Sequence, residues 1–429
     1  MRFSKNQIVI AGIVLAVILL LALIFTGVIP GLRQKGSNDK LKGNLNVWGV
    51  FDDEIAIQST LISGFMSQHP NVTITYKQMD PRTYEAELVN ALAAGTGPDV
   101  FYVQNTWLPK HANKLSPRDP KIFTVVNFGE FFPQVVVKDF TKDGSIYAMP
   151  LYIDTLVTLY NKNMFDAAGI AQVPRTWQEF EALIPQLRIT DQSGKLIQTA
   201  AAIGGSNKNI NNANDLLYQM MLQQGVEMIN PEKTEAKFTN KGLSPLEYYL
   251  SFANQRNKNY TWDRGQHYSI DAFAEESTAM IFNYGYQLQE LKNKNPFLNI
   301  GVAPMLQLNP NRGLTYANYW GLGVSATSKN KDLAWMFIDQ ATTDGATNAR
   351  YLNATKRSPA LRSLIAASLN DVEAGIFARQ ALMATSWYQP DSSAVASIFA
   401  DMLESISAGQ LNSNKALQQA SSEVSALLR

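Results

Sequence analysis

Leu45 and Val47 alternate with Asn46 and Trp48, and the period then changes to a helical one. Ile57, Leu61, Ile62 and Phe65 recur on one face behind the acidic start Asp52-Asp53-Glu54, until His69-Pro70-Asn71 stops the helix. Val72, Ile74 and Tyr76 alternate again, Tyr84, Leu88 and Leu92 return to helical spacing up to Gly95, and Asp99–Val103 is a third strand. Strand, helix, strand, helix, strand predicts a right-handed parallel α/β unit with helices on both faces. Ligands of such sheets lie beyond the carboxyl ends of the strands, which points to Trp48–Asp53 and Gln104–Trp107. Asp99, beside Pro98, reads as a turn residue bonding local amides.

Further along, Ile146–Pro150 is a short apolar piece in which Pro150 withholds a backbone donor, so the chain must bend or cross there. Leu156–Tyr160 is β-prone, and Asn161–Ala168 is a helix that Gly169 can end in a left-handed cap. Thr176-Trp177-Gln178-Glu179 is a capping box, and Ser244-Pro245-Leu246-Glu247 reads as a second with Pro at the first helical position. Thr199–Lys208 is a small-residue strand opening into Gly204-Gly205, which reads as a lip of a cleft rather than a phosphate cradle because no Walker pattern is present. Asn214–Gln224 and Lys331–Thr342 are amphipathic helices, Thr278–Phe282 and Tyr316–Val324 are strand-like, and the chain is helical from about Arg357 to Arg429.

At 429 residues and 46% hydrophobic composition the chain can build two cores. Its net charge of +1, with both signs interspersed, does not suit nucleic acid. The absence of cysteine excludes disulfides, thiol catalysis and a lipid-carrying Cys anchor. Three scattered histidines and no nucleophile elbow, H-E-x-x-H or P-loop leave paired carboxylates, such as Asp52, Asp53 and Asp154, as the one enzymatic arrangement to weigh. Ile8–Ile29 carries no charge and is long enough to span a membrane. It exceeds the apolar core of a cleaved signal and lacks a convincing cleavage site, which favours an uncleaved N-terminal transmembrane helix over residues 1–30, followed by a polar tether over 31–43. Arg2 and Lys5 on one side and Arg33, Lys35, Lys40 and Lys42 on the other leave its direction open by charge.

The run from Tyr147 to Phe180, "YAMP…D…LYNKNMF…AG…P.TW.EF", resembles the region in which extracellular solute-binding proteins of the maltose/multiple-sugar type pass from one lobe to the other. Gly95–Val100, Thr278–Asn283, Gly301–Pro304 and Lys329–Phe337 follow in that family's order. The resemblance implies an α/β, two-lobed periplasmic-binding-protein-like fold (type II), each lobe a mixed sheet flanked by helices. Residues 44–153 with 304–352 would form the first lobe and 154–303 with 353–429 the second, with Leu298–Val302 returning towards the first. It also implies an extracytoplasmic, monomeric protein without cofactor or metal that passes a carbohydrate to the permease subunits of an ABC importer. The domain would be membrane-anchored, or periplasmic or secreted if the N-terminus is cleaved.

Binding a sugar without chemistry calls for flat rings over its C–H faces and planar polar groups bridging its hydroxyls. The candidate rings are Trp48, Trp107, Tyr152, Tyr284, Tyr286, Tyr319, Trp320, Trp387 and Tyr388, interleaved with Asp52, Asp53, Gln104, Asn105, Asn207, Asn283, Asn318 and Arg357. Asp154 falls on the family's acidic position at the first crossover. The residues alone also admit an anchored or secreted carbohydrate-active enzyme, or a binding protein for signalling or for a non-sugar solute such as a polyamine or peptide.

Overall fold

The structure is a computed structural model that describes residues 41–429. The segment read as a transmembrane helix, Ile8–Ile29, and most of the tether lie outside the described residues. Among the described residues no helix is long and apolar enough to cross a membrane.

Strands β1 (Gly43–Gly49), β2 (Val72–Gln78) and β3 (Val100–Gln104) pair in parallel, in the order β2-β1-β3, as the alternating pattern predicts. The sheet is extended by β10 (Trp320–Ser325), which runs antiparallel to β3 and carries both β4 (Leu115–Ser116) and β5 (Ala148–Pro150) on its far side. Two glycines make that crowding feasible. A Cβ on Gly321 would come within 2.8 Å of the Met149 carbonyl, and one on Gly323 within 2.5 Å of the Leu115 side chain. Asp99 ties more distant segments than a turn residue would: its Oδ2 accepts from the Asn46 amide at 3.0 Å and its Oδ1 from the Ser328 hydroxyl at 2.5 Å.

The second sheet is β7-β6-β8, from β6 (Val157–Asn161), β7 (Met280–Asn283) and β8 (Ile300–Pro304), all antiparallel, with a parallel bridge from Thr199 to Thr278 at its edge. Helices Trp177–Leu187, Ala213–Gln223, Leu243–Ser251, Ser392–Ser407 and Ser413–Ala426 bury their apolar faces in one core with it. The Thr176 box forms as read: the Glu179 amide donates to the Thr176 hydroxyl and the Thr176 amide donates to the Glu179 carboxylate. The second box does not: that helix starts two residues earlier than the box places it, at Leu243, and its N-cap is Gly242, so Ser244 sits inside the first turn.

The two sheets carry two separate cores. The expected return to the first lobe at Leu298–Pro304 is corrected by this arrangement. β8 is fully paired with β6, and Met305, Leu306 and Tyr316 remain in the second core. The chain reaches the first core only at Ala317. Nor does it leave at Asn353, because Ala360, Leu361, Ile365, Ala378 and Ala381 still pack on the first core, and Trp387 opens the final second-core segment. Between the lobes the backbone of Tyr152–Leu156 bridges Ala317 through Thr155 and Pro359 through Tyr152. The Ile153 amide donates to the Ser358 carbonyl, the Asn318 amide to the Asp154 carbonyl and the Leu156 amide to the Tyr316 carbonyl. β9 (Thr315–Tyr316) and β11 (Ala384–Thr385) add a short parallel pair beside this joint.

Candidate functional site

A cleft opens between the lobes over this joint, and it has two chambers that share Gln104 and Asn318. Gln104 Nε2 donates to Asn318 Oδ1 at 3.0 Å and separates them.

The larger chamber, about 800 Å³, is aromatic and charged. Phe51 and Trp320 meet edge to face at 5.5 Å on its first-lobe wall, and Tyr286 stands 48% exposed on the second-lobe wall. Arg357 lies 4.2 Å over the Tyr152 ring and reaches Asp52 Oδ1 at 3.4 Å. Asp154 Oδ1 accepts from the Gly285 amide at 3.0 Å. A Cβ on Gly285 would stand 2.9 Å from the Phe377 ring and 3.4 Å from Asp154 Oδ1, so the absence of a side chain permits that contact. Burial raises the Asp154 carboxyl to about 6, against the opposing pull of Arg357 and of the amides of Gly285, Tyr286 and Thr155.

The smaller chamber, about 390 Å³, is amide-rich. Asn105 and Asn207 line it, as do Asn211, Asn212, Asn214, Asp215 and Gln389. Asn212 adopts a left-handed conformation (φ 57°) before helix Ala213–Gln223, a conformation asparagine tolerates.

Of the residues singled out from sequence, Gln104, Asn105, Tyr152, Asp154, Asn207, Tyr286, Asn318, Trp320 and Arg357 come together on these walls. The rest do not line the cleft. Asp52 is buried beneath it, accepting from the hydroxyls of Tyr102 at 2.7 Å and Tyr351 at 2.9 Å and holding Arg357 from behind. Asp53 caps the next helix through the Ala56 amide at 2.8 Å. Trp48 packs half-buried on the first core with Lys77 over its ring at 5.0 Å. Trp107 is a core residue stacked on Tyr84 at 5.8 Å. Tyr319 is fully buried and bonds Asp139 at 2.9 Å, while Trp387 packs against Tyr218. Tyr388 lies under Lys233 at 4.6 Å. Asn283 and Tyr284 act one layer back: Asn283 is bonded by Asn212, and the Tyr284 hydroxyl donates to Asp215 Oδ2 at 2.6 Å while its ring stacks on Tyr286. The Gly204-Gly205 turn borders a different groove on the outside of the second lobe, although Asn207 just after it does reach the cleft.

Phe51 falls within the stretch Trp48–Asp53 that the strand-end argument points to, though not among the rings singled out, whereas sequence reading missed Asn211, Asn212, Asn214 and Asp215. The asparagine-dense run 207–214 was the available signal. So many residues that favour caps and turns, packed before one helix, exceed what a single cap needs.

Two α/β lobes, joined by a multi-stranded hinge over a polar and aromatic cleft, define a solute-binding architecture. The chain belongs to the bacterial extracellular solute-binding protein family, whose model matches residues 50–348. A putative binding protein of Brucella abortus is 21% identical over 290 residues, covering 64% of this chain and 66% of the relative. The maltotriose-binding protein of Pyrococcus abyssi is 23% identical over 310 residues, 70% of this chain and 63% of its own. The matched stretch therefore spans slightly less than two thirds of these relatives. Among solved structures, the sugar-binding protein MalE of Xanthomonas citri superposes with a TM-score of 0.75 at 22% identity, covering 90% of this chain and 97% of the other. The GacH receptor of Streptomyces glaucescens does so with a TM-score of 0.73 at 20% identity, covering 91% and 99%. These likenesses show the fold.

Proposed function

We propose that the protein binds a carbohydrate in the interlobe cleft, without converting it, and delivers it to the permease subunits of an ABC importer. The observation that carries this reading is the larger chamber: Phe51, Trp320 and Tyr286 offer ring faces and edges from both lobes, and Asp154, Arg357, Gln104 and Asn318 stand between them as planar hydrogen-bonding groups. The maltotriose-binding protein of Pyrococcus abyssi and the maltodextrin-binding protein of Bacillus subtilis among its relatives support a sugar. Of the carboxylates weighed for hydrolysis, Asp52 is spent on two tyrosines and Arg357 and Asp53 on a helix cap, which supports binding over catalysis. We place residues 44–153 and 317–352 in one moving body and 154–316 in the other, with the helical segment 353–382 riding mainly on the first and 387–429 on the second. The uncharged run Ile8–Ile29 supports a membrane tether, and membership of an extracellular family supports the outer face.

A thermal-shift screen against mono- and oligosaccharides tests this. A sugar present at 100 times its dissociation constant stabilises the native state by about 2.7 kcal/mol, a readable rise in melting temperature. A panel without any shift overturns the carbohydrate assignment, and hydrolysis of a binding oligosaccharide over hours overturns the non-catalytic one.

A further inference from the structure

The two chambers differ in electrostatics and in which ends of their amides face the void. In the larger one charges of both signs face each other: Arg357 stands among Asp52, Asp154 and Tyr152, and Lys292, Lys356, Asp371 and Glu373 also line it. The smaller chamber holds the carboxylate of Asp215 and no Lys, Arg or His in its lining. Lys110, which lies behind its rim residue Ser393, is already held by Glu85 at 2.7 Å and Asp391 at 2.8 Å.

Its hydrogen-bonding groups are similarly lopsided. Each of the amide nitrogens of Gln104, Asn105, Asn211, Asn214 and Gln389 commits one N–H to a protein acceptor, and Asn212 commits both. Four buried polar atoms on the same walls have no partner: Asn207 Oδ1, Asn214 Oδ1, the Tyr218 hydroxyl and the Thr106 hydroxyl. Asn214, Tyr218 and Thr106 are 5%, 2% and 7% exposed, so water does not reach them freely. The Asn214 bond from Nδ2 to the Ala396 carbonyl, at 2.7 Å, fixes its amide with the oxygen as the free end. Two of the four unpartnered atoms are acceptor oxygens without a donor and two are hydroxyls that can donate or accept; unpaired buried groups are costly, and a bound solute can supply their partners. The Tyr218, Tyr268 and Tyr316 rings complete the lining with π-faces.

We propose that this chamber is a subsite for a protonated amine, so that the solute is an amine-bearing sugar rather than a neutral one. The proposal rests on the reading of the interlobe cleft as the solute site. An ammonium carries three donors and no acceptor, which suits Asn207 Oδ1, Asn214 Oδ1 and Asp215, and its charge offsets a carboxylate that has only neutral partners, Tyr284 and Asn318. A hydroxyl fills the acceptors equally well but leaves that charge unanswered. Burial holds the Asp215 carboxyl up at about 6, and a bound ammonium draws it down, so the pair is ionised at neutral pH.

Calorimetry at pH 7 on the full chain, with glucosamine dimer and trimer, their N-acetylated counterparts, maltose and maltotriose, decides it. Acetylation removes the positive charge and the ammonium donors while keeping the ring, so the amines are expected to bind about tenfold or more tighter than the acetylated forms. That ratio is expected to collapse towards one in Asp215→Asn. Asn207→Lys, which supplies an ammonium of its own, is expected to weaken the amines selectively. Melting temperatures of the unliganded variants show whether each is folded, and Asn207, only partly buried, tolerates change better than Asp215. Acetylated or neutral sugars that bind as tightly as the amines, or an amine preference that survives both substitutions in folded protein, overturn the proposal. If neutral sugars bind and amines have no advantage, the carbohydrate reading stands and the amine subsite falls. Failure of every amine to bind at millimolar concentration also ends it.

Discussion

Asp154 sits where the two lobes and both strands of the joint meet, and its chemistry is set by burial. Its carboxyl titrates near 6 rather than the ordinary 3.8, as do those of Asp139 and Asp215, each raised chiefly by burial. Between those values the folded protein holds a proton that the unfolded chain has released. The native state therefore binds more protons than the unfolded one, and stability contributed by these groups falls as pH rises through that window. Unliganded protein is expected to melt higher at pH 5 than at pH 7.5, with a smaller difference in Asp154→Asn, which keeps an oxygen for the Gly285 amide but cannot ionise. Solute affinity is expected to run the other way, because hydroxyl donors favour the ionised acceptor. Asp154→Asn at pH 7.5 is expected to cost about 1.5–3 kcal/mol of binding, the worth of a hydrogen bond to a charged group. Melting and calorimetry at both pH values check this, and unchanged affinity in the variant would make Asp154 purely a holder of hinge amides. At this scale the sequence was partly legible. Asp154 was identified through its motif, whereas Asp52 and Trp107 looked equally placed at strand ends and turned out to be buried supports, because exposure at a strand end depends on what the next segment lays over it.

Elements were more legible than residues, since periodicity and caps act locally. Thr176 and Glu179 satisfy each other's amides as the four-residue pattern predicts. Ser244 and Glu247 share the pattern but not the outcome, because the Leu246 amide bonds back to the Gly242 carbonyl and the helix begins before the serine. Thr176→Ala is expected to lower stability by about 1 kcal/mol, and exposed Ser244→Ala to change it by no more than a few tenths. Urea unfolding of both variants separates them. An equal loss at both sites would mean that Ser244 caps its helix after all. The stretch Tyr316–Val324, read as a strand pair or a bulged strand, shows what local pattern leaves open. It is cut into β9 and β10 by Ala317–Tyr319, whose backbone is engaged by Asp154, Thr385 and Asn105 from other parts of the chain.

At the scale of the whole molecule the two lobes also touch at the rim of the cleft, beside Ser393. Lys110 on the first lobe reaches Asp391 on the second at 2.8 Å, and Ser393 donates to Glu85 at 2.8 Å. Both second-lobe groups stand at the start of helix Ser392–Ser407. Such a partly exposed latch is worth at most about 1 kcal/mol, enough to shift an open–closed ratio about fivefold without fixing it. Small-angle scattering is expected to show a smaller radius of gyration at saturating solute, and a larger one for unliganded Lys110→Ala than for the unaltered protein. A curve indifferent to saturating, calorimetrically verified solute removes hinge closure as the mechanism.

The alternating and helical periods and the Thr176 box were enough to define an α/β chain, because each is a local consequence of residue order, while the two lobes were implied by the resemblance of the run Tyr147–Phe180 to a family. The return crossing at Ala317 and the long attachment of residues 360–381 to the first core were decided by packing. β8 finds its partner in β6 more than 130 positions earlier, and pairing at that distance leaves no trace in neighbouring residues. The cleft follows the same division. Its aromatic wall could be anticipated as a set of rings near strand ends, but the amide-lined chamber exists only because the joint brings Gln104 and Asn318, 214 positions apart, against the run 207–215.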